Sequence, residues 1–267
     1  MRIYAQITIK KKEKPLNTSQ LFEKMKELKL YGMADAYRTN LESSQSGKLT
    51  SDELLHYLVE SEWHERESRR VKRSLSNAQF RYSAGIEEIT FTTTRNLDKN
   101  LFMRLADFGF IERKENVIIT GMTGVGKSFL ACAIGHQACN RKYKVLYFNA
   151  KKLFDSLKMS KVDNSYISIL KKIEKQNLLI IDDFGLHALD YDTRMMLLEI
   201  IEDRHGKNST IITSQLPVKN WHELFGDATV ADAIMDRLVY SSHRIELEGP
   251  SMRKLQKESL TKNNKTV

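Results

Sequence analysis

Two kinds of hydrophobic spacing divide the chain near residue 117. Before this point, apolar residues recur at intervals of three and four, which indicates amphipathic helices. After it, short apolar runs alternate with helical stretches, which predicts a parallel sheet with crossover helices. We therefore expect an α/β fold with three layers and five parallel strands, preceded by a small all-α N-terminal domain.

The N-terminal part is predicted to contain two helical segments. The first covers residues 17–41, and Gly32 is the expected interruption. After a polar link, Thr50 and Glu53 form a capping-box pattern that begins the second segment. This helix continues into a basic run at residues 66–81, so the helical pattern and the positive charge coincide.

The later part contains five apolar runs, and each is expected as a strand: residues 117–120, 144–149, 178–182, 210–214 and 244–247. Helices are expected near residues 127–140, 150–158, 164–175, 191–205, 218–225 and 229–240. A shorter helix is expected over residues 97–108, with Gly109 placed to end it. The patterns predict five divisions of the chain: a basic arm (1–14), a helical DNA-binding or interaction domain (15–82), a linker (83–116), an α/β domain (117–248) and a basic tail (249–267).

The composition is that of a folded and mostly helical chain, with 41% hydrophobic residues, 29% charged residues and only 3 prolines. No apolar run approaches the roughly 20 residues of a membrane span. The basic cluster at the N-terminus follows the apolar stretch, which is the wrong order for a secretory signal. Cys132 and Cys139 cannot supply a disulfide framework. We therefore expect a cytoplasmic protein without a membrane partner.

The formal net charge of +9 is concentrated in a few segments. Residues 1–14 and 249–267 each carry five cations and one carboxylate. These charges are explained equally well by solvation of the chain ends and by binding of an anionic partner. The run at residues 66–81 lies on a predicted helix without a strongly apolar face, which favours a nucleic-acid backbone over a membrane. The candidate DNA contacts are Arg66, Arg69, Arg70, Lys72 and Arg73.

A phosphate-binding loop is predicted at residues 121–128, where GMTGVGKS fits G-x-x-x-x-G-K-[ST] between a strand and a helix. Its glycines allow successive amides to face a polyphosphate, and the following helix adds partial positive charge. We expect Lys127 on the outer phosphates and the Ser128 hydroxyl on magnesium. The predicted nucleotide contacts are Gly121, Met122, Thr123, Gly124, Val125, Gly126, Lys127, Ser128 and Phe129.

A second motif, NLLIIDDFG at residues 177–185, predicts a buried strand that ends in two carboxylates. We expect Asp182 to hold magnesium, directly or through water, and Asp183 to polarise the attacking water. No N-K-x-D guanine signature occurs, so ATP is favoured over GTP. The predicted cofactors are ATP and Mg²⁺, and the predicted activity is hydrolysis of ATP.

These motifs resemble those of the IstB-type transposition helper ATPases, which are AAA+ P-loop proteins related to the DnaC-type helicase loaders. The resemblance also rests on TSQLP (213–217), DRL (236–238), GPSMRK (249–254) and the Arg-rich ERESRRVKRSLSNAQF (65–80), and it covers roughly residues 15–255. It implies an AAA+ ATPase domain at residues 117–248. It also implies an ATP-dependent homo-oligomer that assembles on double-stranded DNA and assists the transposase of the same element.

The same resemblance implies roles for individual side chains. Ser214 or Gln215 would be the first sensor of the γ-phosphate, and Arg253 the second. Arg237 would be an arginine finger that reaches the nucleotide of a neighbouring subunit, a role that suits a planar, permanently charged group. Asp183 stands where AAA+ proteins usually have Glu, so either the water lies closer or hydrolysis is slow.

Two other functions share parts of this pattern. A replicative helicase loader of the DnaC type would have the same motor with a protein-binding N-terminal module, whereas the Arg-rich run favours the transposition helper. A small-molecule P-loop kinase would need an acceptor pocket and a lid but no finger residue, and Arg237 and Arg253 argue against it.

Overall fold

The computed structural model describes residues 18–43 and 49–254. The predicted basic arm and the tail beyond residue 254 lie outside the described residues. The chain divides into two units, Met1–Arg70 and Val71–Val267. The boundary therefore falls before residue 82, where the sequence pattern had placed it.

The first unit contains α1 (Thr18–Glu27), α2 (Tyr31–Glu42) and the beginning of α3 (Ser51–Ala78). The break between α1 and α2 lies at residues 28–30, where Lys29 has φ 60°, and not at Gly32 as predicted. Gly32 lies inside α2 because it packs closely against α3: an added Cβ would lie 2.5 Å from the carbonyl oxygen of Ser61. The capping box is confirmed, since the Thr50 amide donates to Glu53 at 2.8 Å and the Glu53 amide to the Thr50 hydroxyl at 3.3 Å.

The second unit contains one five-stranded sheet within the described residues, and every pairing in it is parallel. Its strand order is β2-β3-β4-β1-β5. The predicted strands are confirmed, with bounds β1 (Asn116–Gly121), β2 (Val145–Asn149), β3 (Leu178–Phe184), β4 (Ser209–Ser214) and β5 (Ser242–Leu247). Because all five run in the same direction, their carboxyl ends meet at one edge, where ligands bind in such folds.

Helices cover both faces of the sheet and complete three layers. They are α4 (Lys99–Ala106), α5 (Gly109–Glu112), α6 (Lys127–Asn140), α7 (Ala150–Val162), α8 (Tyr166–Glu174), α9 (Tyr191–Arg204), α10 (Trp221–Phe225) and α11 (Ala228–Val239). One hydrophobic cluster joins α4, α5 and α6 to the sheet, and a second joins α7 to α11 to its other face. Strands between two apolar layers are expected to be apolar where both faces are covered, as residues 117–119 of β1 and 178–181 of β3 are.

Residues 83–116 do not form the predicted linker. Ile89, Phe102 and Phe110 from this stretch are buried in the core of the second unit. Gly109 also does not end a helix: α4 ends at Ala106, Phe108 has the left-handed φ of 65°, and Gly109 begins α5. The Phe108 ring is 1% exposed, and its burial offsets the roughly 1–2 kcal/mol that this backbone conformation costs.

Candidate nucleotide-binding site

A cavity of about 420 Å³ lies at the carboxyl edge of the sheet, where β1 and β3 end. Its wall includes the loop after β1 and the irregular segment between α3 and α4. We call residues 79–95 of that segment the pocket strap. The lining residues used below are Arg81, Tyr82, Arg95, Thr123, Lys127, Ser128, Asp183, Gln215 and Arg253.

The phosphate loop has the backbone that its glycines predict. Gly124 has φ 88° and Gly126 has φ 100°, both in the region that favours glycine. Lys127 begins α6, and its ammonium donates to the carbonyl oxygens of Gly121 at 2.8 Å and Met122 at 2.9 Å. Burial lowers the pKa of Lys127, while the carboxylates of Asp183 and Asp182 oppose that change. The loop thus places a cation beside the cavity, at the start of a helix.

Asp182 is a fully buried carboxylate, with 0% of the residue exposed. Its two oxygens accept hydrogen bonds from the Tyr147 hydroxyl, at 2.5 Å, and from the Thr213 hydroxyl. Tyr147 lies on β2 and Thr213 on β4, the two neighbours of β3 in the sheet. Burial, then the hydrogen bond to Asp182, raises the pKa of Tyr147. The phenol therefore stays a donor, and Asp182 is fixed from both sides.

Asp183 lies at an irregularity of the sheet. The register between β3 and β4 shifts between Ile181 and Phe184, and Asp183 has the left-handed φ of 58°. Its amide donates to the Thr213 hydroxyl at 3.1 Å. Bulges of this kind re-aim a side chain, and strained backbone of this kind clusters at functional sites. Here it directs the carboxylate of Asp183 into the cavity wall.

Two further side chains bond to the Asp183 carboxylate. Arg81 donates to its Oδ2 at 2.9 Å, and Asn149, the last residue of β2, donates at 3.3 Å. The Arg81 guanidinium also lies 3.5 Å from Oδ2 of Asp182. The sequence pattern placed Arg81 in the basic run at residues 66–81, but its partners are Asp182 and Asp183, which we call the acidic pair.

The two candidates for the first sensor differ in where their side chains lie. The Ser214 hydroxyl is buried, donates to the Phe184 carbonyl at 2.8 Å and accepts from the Leu216 amide at 3.0 Å. The structure therefore does not bring Ser214 to the cavity, because its hydroxyl stabilises the chain after β3. Gln215 does line the cavity, and it accepts a hydrogen bond from the Thr123 hydroxyl at 2.7 Å.

The segment that carries Arg253 is attached to the phosphate loop. The Met252 amide donates to the Gly124 carbonyl at 2.9 Å, and Arg253 lines the cavity. The Arg253 guanidinium donates to the Tyr82 hydroxyl at 3.0 Å. The structure thus brings Arg253 together with Lys127 and Asp183 in one site.

Arg237 lies elsewhere in the same chain. It is near the end of α11, where it pairs with Glu202 at 2.8 Å and donates to the Ala233 carbonyl at 2.9 Å. The cavity that it lines is a separate small one, shared with Asn116 and Arg204. Arg237 therefore does not contribute to the nucleotide cavity of its own chain.

Arg95 is a buried cation behind the phosphate loop. It is 5% exposed, and burial lowers its pKa. It donates to the carbonyl oxygens of Thr90 at 2.7 Å and Val125 at 3.0 Å, and no carboxylate of the described residues pairs with it. The cost of burying an unpaired charge makes an anion in the adjacent cavity a favourable partner.

The arginines predicted to contact DNA have acidic neighbours on α3. Arg66 donates to Glu62 at 2.6 Å, Arg69 lies 3.1 Å from Glu65, and Arg70 lies 3.9 Å from Glu67. Glu62 is itself 6% exposed and accepts from the first amides of α2, so Arg66 supports the fold of the first unit. The exposed cations among these candidates are Arg66, Arg70, Lys72 and Arg73, and of these Arg66 is the one bonded to Glu62.

A second basic surface lies on and after α8 in the second unit. Four lysines line a shallow groove there, and no carboxylate of the described residues forms an ion pair with them. We call this surface the lysine groove; it comprises Lys144, Lys171, Lys172 and Lys175. The sequence pattern did not indicate it, because Lys144 is distant in the chain from the other three.

Several site residues were not predicted from the sequence: Arg81, Tyr82, Arg95, Tyr147, Asn149 and Thr213. A signal existed for Asn149, because a polar residue that ends a strand of a parallel sheet meets the ligand edge, and Asn149 pairs in register with Asp182. The strap residues had no comparable signal: Arg81 directly follows the Arg-rich stretch at residues 65–80, but that stretch does not indicate which residue Arg81 contacts.

The strand order, with a phosphate loop after β1 and an acidic pair at the end of β3, defines a P-loop protein with an AAA+ fold. The fold is similar to that of the DnaC helicase loader, with a TM-score of 0.51, 20% identity and coverage of 66% of this chain and 99% of that one. It is also similar to the replication initiator DnaA bound to AMPPCP and single-stranded DNA, with a TM-score of 0.56, 17% identity and coverage of 70% of this chain and 57% of that one.

The chain belongs to the family described as IstB-like ATP binding protein, which matches residues 23–260. It is 43% identical to an insertion sequence ATP-binding protein of Sinorhizobium fredii, over 88% of this chain and 96% of the relative. It is 30% identical to the ATP-binding protein of insertion sequence IS21 from Pseudomonas aeruginosa, over 91% of this chain and 93% of the relative. The predicted family and fold class are thereby confirmed. Over the described ranges, no helix has both the length and the apolar character needed to cross a bilayer.

Proposed function

We propose that this protein is a DNA-binding ATPase that assembles on double-stranded DNA when it holds ATP and that assists the transposase of an insertion sequence. One observation carries the proposal: the phosphate loop, Asp183 and Arg253 line a single cavity, and Asp182 is buried next to Asp183 near the end of β3. This cavity belongs to a chain whose relatives over nearly their whole length are insertion sequence ATP-binding proteins.

The residues at the cavity fit magnesium–ATP. Mg²⁺ is usually held by one or two carboxylates together with substrate phosphates and water. Asp182 offers a buried carboxylate fixed by two hydroxyl donors, and the Ser128 hydroxyl lines the cavity at the start of α6. Magnesium bound there would neutralise the charge that develops on the phosphates. Lys127 and the amides of residues 121–129 would bind the phosphates.

In this proposal Asp183 orients the attacking water and accepts its proton as the γ-phosphate is transferred. Gln215 is the better-placed first sensor, because its side chain lines the cavity. Arg253 would contact the γ-phosphate in the same chain. Arg237 would act on the nucleotide of a neighbouring copy, which is consistent with its place outside the cavity of its own chain.

The assembly step is tested with Lys127→Ala. The variant should fail to form ATP-dependent assemblies on duplex DNA in sedimentation, whereas the wild type should form them with ATP and magnesium. Lys219→Ala, an exposed lysine after β4, is the matched control and should behave like the wild type. A wild-type protein that remains a monomer with ATP, magnesium and duplex, or a Lys127→Ala variant that assembles normally, contradicts the proposal.

The hydrolysis step is tested with Asp183→Asn. Asn keeps the size of the side chain and tolerates the left-handed backbone but cannot accept a proton. Loss of a general base reduces turnover roughly 100-fold or more. Phosphate release is the measurement, with ATP binding as the control. Unchanged turnover would remove Asp183 from this role.

The DNA surface is tested by comparing two triple variants on duplex DNA. The first neutralises exposed cations of α3: Arg70→Gln, Lys72→Gln and Arg73→Gln. The matched control neutralises cations of the lysine groove: Lys171→Gln, Lys172→Gln and Lys175→Gln. The slope of log affinity against log salt should flatten by about 0.9 for each lost phosphate contact. Flattening in the α3 variant supports the proposed surface; flattening in the control variant alone moves DNA binding to the lysine groove.

A replicative helicase is the competing partner, and the same full-length protein separates the two functions. In a capture experiment with ATP and magnesium, retention of duplex DNA supports the transposition role. Retention of a purified replicative helicase without duplex DNA would favour the loader instead.

A further inference from the structure

One ion pair at the nucleotide cavity has no role in the proposed function: that between Arg81 and the two carboxylates Asp182 and Asp183. The guanidinium Nη1 of Arg81 lies 2.9 Å from Oδ2 of Asp183 and 3.5 Å from Oδ2 of Asp182. The side chain of Asp182 is 0% exposed and that of Asp183 is 19% exposed, whereas that of Arg81 is 41% exposed. The cation bonded directly to the two carboxylates is therefore accessible to water, whereas the carboxylates scarcely are. Lys127 also attracts both carboxylates, but its ammonium donates to the carbonyl oxygens of Gly121 and Met122.

The other donors to this pair are neutral. Asp182 accepts from the hydroxyls of Tyr147 and Thr213, and Asp183 accepts from the amide of Asn149. Neutral donors orient the carboxylates but leave their two negative charges in place. Among the groups bonded to the pair in the described structure, Arg81 alone is charged.

We propose that Arg81 is a positioning residue that holds Asp183 in a resting state and competes with magnesium for the oxygens of Asp182 and Asp183. This inference rests on the proposed ATPase function. Arg81 keeps its positive charge under all ordinary conditions, so it and a divalent cation repel each other at the same oxygens. Arg81 must leave Oδ2 of each carboxylate before that oxygen can serve magnesium or the attacking water.

The surroundings of Arg81 allow its guanidinium to leave the carboxylates when magnesium binds. The residue lies in the pocket strap, three positions after the end of α3, outside any helix or strand. Its guanidinium carbon lies 5.4 Å from the centre of the Tyr82 ring, a distance at which a cation is attracted to an aromatic face. The guanidinium thus has both solvent and an aromatic ring available when it leaves the carboxylates.

The first test titrates magnesium at a fixed concentration of a fluorescent ATP analogue and measures binding. Removal of the competing cation in Arg81→Ala should lower the magnesium concentration for half-maximal binding roughly threefold to tenfold. Arg81→Lys, which keeps the charge but loses the planar fork, should lower this magnesium concentration less than Arg81→Ala does. Arg113→Ala is the matched control, because Arg113 also pairs with a carboxylate, Glu115, but does not line the cavity. It should show no shift.

The second test uses magnesium alone and needs no nucleotide. Without its counter-charge the acidic pair should bind Mg²⁺ more strongly, so added MgCl₂ should raise the Tm of Arg81→Ala more than that of the wild type. NaCl added to the same ionic strength as the MgCl₂ controls for the general effect of salt. This measurement also shows whether the variant is folded.

Three results would overturn the proposal: an unchanged magnesium requirement in Arg81→Ala, an increased one, or weaker binding of ATP but not ADP in the presence of EDTA. The last would make Arg81 a direct ligand of the γ-phosphate. These results differ from failure of the proposed function itself, in which the wild type would bind no ATP at any magnesium concentration.

Discussion

The phosphate loop and the pocket strap line the same cavity, but different forces shape them. The loop at residues 121–128 takes its form from closely spaced glycines between β1 and α6. The strap has only two short 3₁₀ turns, at Ile86–Glu88 and Thr93–Arg95. It is held by contacts to residues far along the chain: Arg81 to Asp183, Tyr82 to Arg253 and Arg95 to Val125. A local pattern determines the first, and tertiary packing determines the second.

This difference indicates which part of the site depends on the other for its conformation. The loop can adopt its backbone without the strap, because its glycines permit positive φ at no steric cost. The strap needs the loop, the acidic pair and the segment of Arg253 as partners. Substitutions in the loop should therefore weaken nucleotide binding most, and loss of the strap contacts made by Tyr82 and Arg95 should weaken it by degrees. Arg81 is the exception, because it bonds to the carboxylates that magnesium would need.

The largest effect is expected for Gly126→Ala in the loop. Gly126 has φ 100°, and an added Cβ would lie 2.7 Å from the Arg95 guanidinium, so the change strains the backbone and displaces a buried cation. ATP affinity should fall more than about tenfold, since backbone strain alone costs about 1–2 kcal/mol. Isothermal calorimetry is the measurement.

Gly206→Ala is the matched control for that experiment. Gly206 also has a positive φ, 66°, but nothing lies within 4 Å of the added Cβ. It should cost stability without loss of ATP affinity. Equal losses of affinity in the two variants would show that backbone strain anywhere, rather than the shape of the loop, explains the effect.

An intermediate effect is expected for Arg95→Met in the strap. Met fills much of the same volume but removes the cation and its hydrogen bond to the Val125 carbonyl. ATP affinity should fall about tenfold, because the variant lacks the buried cation that favours an anion in the cavity, and interactions of charged groups contribute about 1.5–3 kcal/mol. The Tm should change little, since burying the unpaired cation was itself costly. A large fall in Tm with unchanged affinity would make Arg95 a purely structural residue.

The smallest effect is expected for Tyr82→Phe, also in the strap. This change removes one hydrogen bond, from Arg253 to the Tyr82 hydroxyl, and keeps the ring. ATP affinity should fall about threefold, which is typical of one partly exposed hydrogen bond. The variant combined with Arg253→Ala should lose no more affinity than Arg253→Ala alone. Additive losses would show that Tyr82 acts independently of Arg253.

The contrast between local pattern and tertiary packing also explains which features of the fold and site could be predicted from the sequence. The five strands and the phosphate loop were predictable because hydrophobic period and glycine spacing are local signals. The pairing of Arg81 with Asp183 was not, since the two residues are 102 positions apart and a charge run gives no partner. The linker expected at residues 83–116 was wrong for a similar reason: its short apolar segments lack a clear period but pack into the core. Ser214 and Gln215 could not be distinguished until the direction of each side chain was known.

The bulge at the tip of β3 offers a stereochemical reason for the shorter acid at position 183. Residues with φ near 58° are most often Gly, Asn or Asp, because short polar side chains tolerate this geometry. Glutamate would reach further but would fit that backbone less well. The left-handed backbone at residue 183 thus favours aspartate over glutamate. We expect a relative with Glu at this position to have a more regular β3 there.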